Sequence, residues 1–140
     1  MGLVLDTNVL ILSERRAVGG GLAIDFSPWA SYGNVFISAM TASELLIGVH
    51  RAQGEGRRIK RAAFVESLFA SLPILDFNLE AARIHAQLKA DLLARGETLG
   101  PNDLVIAATT LANGHSLLTT DVDDFVRVPG LDVVPFPRDT

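Results

Sequence analysis

Five short apolar runs, Met1–Leu5, Val35–Ser38, Leu72–Leu75, Ser116–Thr119 and Leu131–Val134, recur along the chain with helical stretches between them. This alternation limits the possible folds more than any other feature. Runs of this length are too short for buried helices, and they lack the polar-apolar alternation of a strand with one wet face, so they read as strands covered on both sides. Strands joined through helices pair in parallel, which predicts an α/β fold with a mainly parallel central sheet flanked by helices. The 140 residues are expected to form one domain spanning 1–140.

The intervening segments carry helix punctuation. A short helix is predicted over Val9–Glu14, then a loop at Gly19-Gly-Gly21 expected to be mobile, then a weakly helical stretch from Leu22 to Tyr32 interrupted near Pro28. Leu45, Leu46, Val49 and His50 place a helix from Thr41 to the Gly54-Glu-Gly56 stop, and a second runs from Arg57 to Ser71. Asn78 is an N-cap for a long helix ending at Arg95-Gly96, and Pro101 opens a helix that Asn113-Gly114 closes. A short acidic turn or helix and the Pro129-Gly130 turn join the last two strands.

In open parallel sheets ligands sit outside the carboxyl ends of the strands, and there the sequence places acids. Asp6 follows the first strand, Glu44 lies just beyond the second, and Asp121 follows the strand ending at Thr119. Asp103 stands in the first turn of a helix whose continuation, Leu104-Val-Ile-Ala-Ala108, is apolar, which aims it into a cleft between elements. Each acid also has an ordinary structural explanation. Asp6 suits a helix N-cap, Thr41-Ala-Ser-Glu44 has capping-box spacing, and Asp103 suits the helix dipole. Thr119-Thr-Asp-Val-Asp-Asp124 suits an exposed turn, in which Asp123 faces water and Asp124 caps or supports. Taken together, oxygen donors with neither Cys nor zinc-spaced His match Mg²⁺ or Mn²⁺. His50, His85 and His115 read as core or surface residues.

The net charge of −4 argues against a passive nucleic-acid binder, but five of the twelve basic residues, Arg51, Arg57, Arg58, Lys60 and Arg61, are clustered. They read either as a solvated helical surface or as an RNA-binding patch. No run is long and apolar enough for a membrane span, and the N-terminal run is broken by Asp6-Thr-Asn8 without signal-peptide features. A cytoplasmic protein with no membrane association is expected.

Leu3-Val-Leu-Asp6-Thr-Asn-Val-Leu10, Ser43-Glu44-Leu45, Pro101-Asn-Asp103-Leu-Val-Ile-Ala-Ala108 with Gly114, and Leu118-Thr-Thr-Asp121-Val-Asp-Asp-Phe125 stand in an order and spacing that resembles the PIN-domain family. The resemblance is closest to VapC-type toxins of bacterial toxin–antitoxin pairs and covers nearly the whole chain. It implies a PIN-like fold and a Mg²⁺- or Mn²⁺-dependent endoribonuclease that leaves 5′-phosphate and 3′-hydroxyl ends. Asp6, Glu44 and Asp103 would be core acidic ligands and Asp121 the fourth, with Asp124 competing for that role. Thr7 matches a hydroxyl that holds a water in such sites, and Asn8 is its neighbour. The resemblance further implies a homodimer and a cognate antitoxin that blocks the site. Leu10, Leu12, Leu45, Leu46 and Val49 are either core or the surface this partner covers.

The chemistry expected of such a site is in-line attack of water on a phosphodiester, with metal ions activating the water and offsetting charge. No covalent nucleophile is required. A Mg-dependent phosphatase is the competing enzyme class, but its Asp-x-Asp after the first strand fails at Asn8. A phospho-receiver lacks a suitably placed late Lys. A catalytically silent interaction module is the remaining alternative, disfavoured by retention of all four acids.

Overall fold

The computed structural model describes residues 1–16 and 24–138. The glycine loop expected at Gly19-Gly-Gly21 lies outside the described residues. Within them, β1 (Gly2–Leu5), β2 (Asn34–Ser38), β3 (Ile74–Leu75), β4 (Ser116–Thr119) and β5 (Val133–Pro135) form one sheet in the order β3-β2-β1-β4-β5. Every pairing is parallel. The chain runs outward from β1 through β2 to β3, then crosses back to place β4 on the other side of β1. The order therefore reverses between β1 and β4, and the crevice at their carboxyl ends is where such sheets bind ligands.

Helices α1 (Thr7–Arg16), α2 (Ala39–Arg51), α3 (Glu55–Ser71), α4 (Leu79–Ala94), α5 (Pro101–Ala112) and α6 (Val122–Phe125) cover the sheet. Successive strand residues face opposite ways, so one strand serves two cores. Leu3 and Leu5 pack with Val9, Leu10, Ile37, Leu45, Phe64 and Leu68 on one side. Val4 packs with Leu88, Leu92, Leu104, Ile106, Leu117 and Phe125 on the other. Each such buried Leu or Phe contributes about 1.5–3 kcal/mol, so β1 and β4, buried along their whole length, anchor the crevice rigidly. No helix among the described residues is long and apolar enough to cross a membrane.

α3 starts at Glu55 and not at Arg57, because Gly54 is its N-cap, so Glu55 and Gly56 are helical and not part of a stop. The other helix boundaries follow local chemistry, with three further differences from expectation. α1 begins at Thr7, immediately after the strand, and not at Val9. Pro28 occupies the opening positions of a 3-10 helix, Ser27–Tyr32, where its missing N–H costs nothing; the backbone is non-helical at the adjacent Trp29 (φ −114°, ψ 16°), so the interruption falls beside Pro28 as expected, whereas residues 24–26 ahead of it are not helical. The third difference concerns α2. Its N-cap is Ser38, whose Oγ accepts the Thr41 amide at 3.0 Å, so Thr41 lies inside the helix and no capping box forms with Glu44. The cap sits earlier because β2 pairs with β3 up to Ser38 and the chain turns there. At α4, by contrast, Asn78 caps as expected by accepting the Ala81 amide at 3.0 Å.

Candidate active site at the carboxyl ends of β1 and β4

Asp6 continues β1 by donating its amide to the Leu118 carbonyl at 2.9 Å, and the residue is only 2% exposed. A carboxylate this buried needs donors. The Thr7 amide reaches Oδ1 at 2.8 Å and the Thr119 hydroxyl reaches Oδ2 at 2.7 Å. Burial nevertheless pushes the Asp6 carboxyl up to about 6. The Thr119 bond opposes that rise, and the charges of Asp103 and Asp121 add to it. A plain helix cap does not account for this environment.

Glu44, freed from any capping role, projects from the second turn of α2 toward α1. The Thr7 hydroxyl donates to its Oε1 at 2.6 Å, and Asn102 Nδ2 at the start of α5 lies 3.3 Å from Oε2. Thr41 braces this corner, with its Oγ1 3.0 Å from that of Thr7 and 3.2 Å from the Ser38 Oγ. Asp103 enters from the first turn of α5, where Gly100 lets the carboxylate fold back: a Cβ added at Gly100 would lie 3.3 Å from Oδ2. Its carboxyl is also pushed up to about 6, by burial and then by the charges of Glu44, Asp121 and Asp124.

Asp121 accepts from Asn8 Nδ2 at 2.7 Å and from Arg138 Nη2 at 2.9 Å. Asp124 is turned to solvent and pairs with Arg127 at 3.0 Å. Asp121 acts electrostatically on both Asp6 and Asp103, whereas Asp124 acts on Asp103 alone, so Asp121 is the more central of the two. Four carboxylates thus meet at the strand-order reversal.

Every donor in this set is an oxygen, which fits a hard divalent cation. Burial is the main reason that the carboxyls of Asp6 and Asp103 are pushed up to about 6, and neighbouring negative charge adds to it. Among the described residues, no three acidic or histidine side chains stand close enough to clasp one ion directly.

Residues 3–131 match the PIN domain family. The chain belongs to the PIN-domain family. Within it, the chain is similar to ribonuclease VapC1 of Rickettsia felis, at 40% identity over 96% of each chain. Its fold is similar to that in the DNA-bound VapBC structure from Salmonella typhimurium, with a TM-score of 0.83, 25% identity, and coverage of 96% of this chain and 98% of the other. VapBC-5 from Mycobacterium tuberculosis, described as a member of the VapBC family of toxin-antitoxin systems, is similar at a TM-score of 0.73 and 28% identity, covering 99% and 100%.

The remaining expectations map onto this PIN domain unevenly. Arg51 ends α2, and Arg57, Arg58, Lys60 and Arg61 ride the exposed first turns of α3. Arg61 is paired with Glu14 at 3.4 Å and lines a groove of about 260 Å³ that Glu44 also lines. Leu10, Leu45 and Val49 are core, although Leu45 also lines that groove, while Leu46 is 36% exposed. His115 stacks on Phe36 and His85 meets Phe77 edge-on. Nothing local in the sequence singles out Thr119, Thr41, Asn102 or Arg138. Strand register gives the missing signal for Thr119: Leu5 pairs with Leu118, which puts the next two residues, Asp6 and Thr119, side by side.

Proposed function

We propose that the protein is a Mg²⁺- or Mn²⁺-dependent endoribonuclease that hydrolyses RNA phosphodiesters, with Asp6, Glu44, Asp103 and Asp121 as the carboxylates that would hold the metal, directly or through its waters. The observation that carries this reading is the placement of Asp6, Glu44, Asp103 and Asp121 at the β1–β4 crevice, where burial first and neighbouring carboxylates second raise the carboxyls of Asp6 and Asp103 to about 6. Similarity to a ribonuclease at 40% identity supports RNA as the substrate. Similarity to a toxin-antitoxin system supports a toxin role in the cytoplasm, neutralised by a cognate antitoxin. A homodimer is proposed on the same family grounds.

When bound, the metal supplies a water acidic enough to attack at neutral pH and offsets the charge building on the phosphate. The residues themselves do the positioning. Thr119 fixes Asp6, Thr7 fixes Glu44 and Asn8 fixes Asp121, each through a neutral donor that orients a carboxylate without cancelling its charge. Removing any one of these donors leaves its carboxylate held on one side only, by the Thr7 amide, Asn102 or Arg138 respectively. The test is cleavage of a structured RNA by purified protein with Mg²⁺ or Mn²⁺, then with chelator, beside Asp6→Asn. Metal-independent cleavage, or full activity in the mutant, refutes the reading.

A further inference from the structure

One face of α1 starts at the site and leaves it. Asn8, Ile11, Leu12, Arg15 and Arg16 follow helical spacing and line a groove of about 670 Å³, closed on its far wall by Arg138. Three of the chain's twelve basic residues stand in this groove, and no acid among the described residues lines it. Asn8 and Arg138 both also bond Asp121, at 2.7 and 2.9 Å, so the groove opens directly onto the acidic crevice. From Asn8 to Arg16 the helix rises about 12 Å, far enough to carry a strand away from the reacting phosphate. The Arg16 guanidinium lies over the Phe136 ring at 5.6 Å, a contact that restrains its position.

The groove on the other side of α1 shares Arg15 and reaches Glu44, but its walls carry acids as well as cations, and there Arg61 is matched by Glu14 at 3.4 Å. The linings of the two grooves therefore differ: Glu14 and Glu44 stand in the one, whereas no acid among the described residues lines the other, where Arg138 is paired with Asp121 at its mouth. An acidic peptide in the basic groove would bring carboxylates against Asp121. An RNA strand whose reacting phosphate sits at the crevice instead needs cations beside its neighbouring phosphates.

We infer that the Arg15–Arg16–Arg138 groove seats the RNA backbone flanking the scissile bond, with Ile11 and Leu12 forming an apolar floor for a base. This rests on the ribonuclease reading above. It assigns substrate guidance to α1 and the C-terminal segment, and not to the Arg51–Arg61 cluster.

The probe is a fluorescein-labelled single-stranded RNA of mixed sequence, its binding followed by anisotropy in EDTA so that nothing is cut. Arg15→Ala/Arg16→Ala is expected to weaken binding about tenfold and to flatten the slope of log affinity against log salt by roughly 0.7 for each phosphate no longer neutralised. Arg138→Ala, on an exposed side chain, should act in the same direction without touching the core. Arg15→Lys/Arg16→Lys should recover most of the affinity, and an unchanged melting temperature separates weakened binding from impaired folding. Wild-type affinity in both alanine variants, or a loss confined to Arg57→Ala/Arg58→Ala, overturns the inference. If wild-type protein binds RNA through these arginines yet never cleaves it with Mg²⁺ or Mn²⁺, the ribonuclease reading fails and the groove stands. If it cleaves but the arginine variants bind normally, the groove fails and the nuclease stands.

Discussion

Thr119 donates its hydroxyl to Asp6 Oδ2 at 2.7 Å while the Thr119 Oγ1 itself accepts the Asp121 amide at 2.9 Å. A single fully buried hydroxyl thus ties the acids that follow two neighbouring strands. Thr119→Val keeps the shape and removes both bonds, leaving an unsatisfied buried amide at a cost of about 1–3 kcal/mol. Because the Thr119 bond holds the Asp6 carboxyl down, its loss should push that carboxyl further above about 6. Divalent-ion affinity is expected to fall roughly 10- to 100-fold, with the acid limb of the pH–rate profile moved to higher pH. Titration calorimetry with Mn²⁺ and a pH series check this; a mutant with wild-type affinity and profile would remove Thr119 from the site.

Asp6 should cost the metal-free protein stability at neutral pH. Its carboxyl sits at about 6 folded, against an ordinary 3.8, so between these values the native state binds the extra proton. Stability from this group is therefore present below about pH 4 and lost as pH rises through 6, with a magnitude on the order of 3 kcal/mol. Asp6→Asn removes the charge and keeps an oxygen for the Thr7 amide. In EDTA at pH 7.5 it should melt roughly 10 °C above wild type, with the gap narrowing at pH 4.5, while cleavage is abolished. Equal melting temperatures at both pH values would contradict the assignment.

The complement of that strain is stabilisation by metal. Mg²⁺ or Mn²⁺ at a hundredfold its Kd should stabilise the fold by about 2.7 kcal/mol, seen as a rise in Tm. The rise should shrink from pH 7.5 to 5.5 as Asp6 and Asp103, both near 6, take up protons that compete with the ion. Asp103→Asn should largely remove it. A shift of equal size in wild type and mutant would show the ion binding elsewhere.

Ser38 and Ser43 give a contrasting pair on α2. Ser38→Ala deletes the observed cap and should cost about 1 kcal/mol in urea unfolding, with reduced cleavage because Glu44 rides on this helix. Ser43→Ala, on the exposed face, should be neutral in stability. The opposite ranking would restore a helix start at Thr41.

What the sequence revealed depended on range. The strands and most helices were legible because their signals are local: apolar runs, Asn78, Pro101 and the closing glycines. Glu44 was found but given a competing role, since Ser38 and Thr41 each stand three residues before a plausible partner and only the β2–β3 pairing decides between them. Thr119 and Arg138 were invisible because their importance arises from juxtaposition. A threonine ending a strand matters only once β4 lies beside β1, and an arginine after Pro135-Phe-Pro137 matters only once the chain folds back onto Asp121.

The reversal in strand order also governs when the crevice comes into being. β4, near the end of the chain, is the strand that completes the centre of the sheet, and it carries both Thr119 and the approach to Asp121. A chain still emerging from the ribosome can hold Asp6, Glu44 and Asp103 and yet lack the wall against which Asp6 is set. Hydrolytic competence is therefore expected only after β4 has been made and set against β1, so a product that stops before residue 116 should be inert.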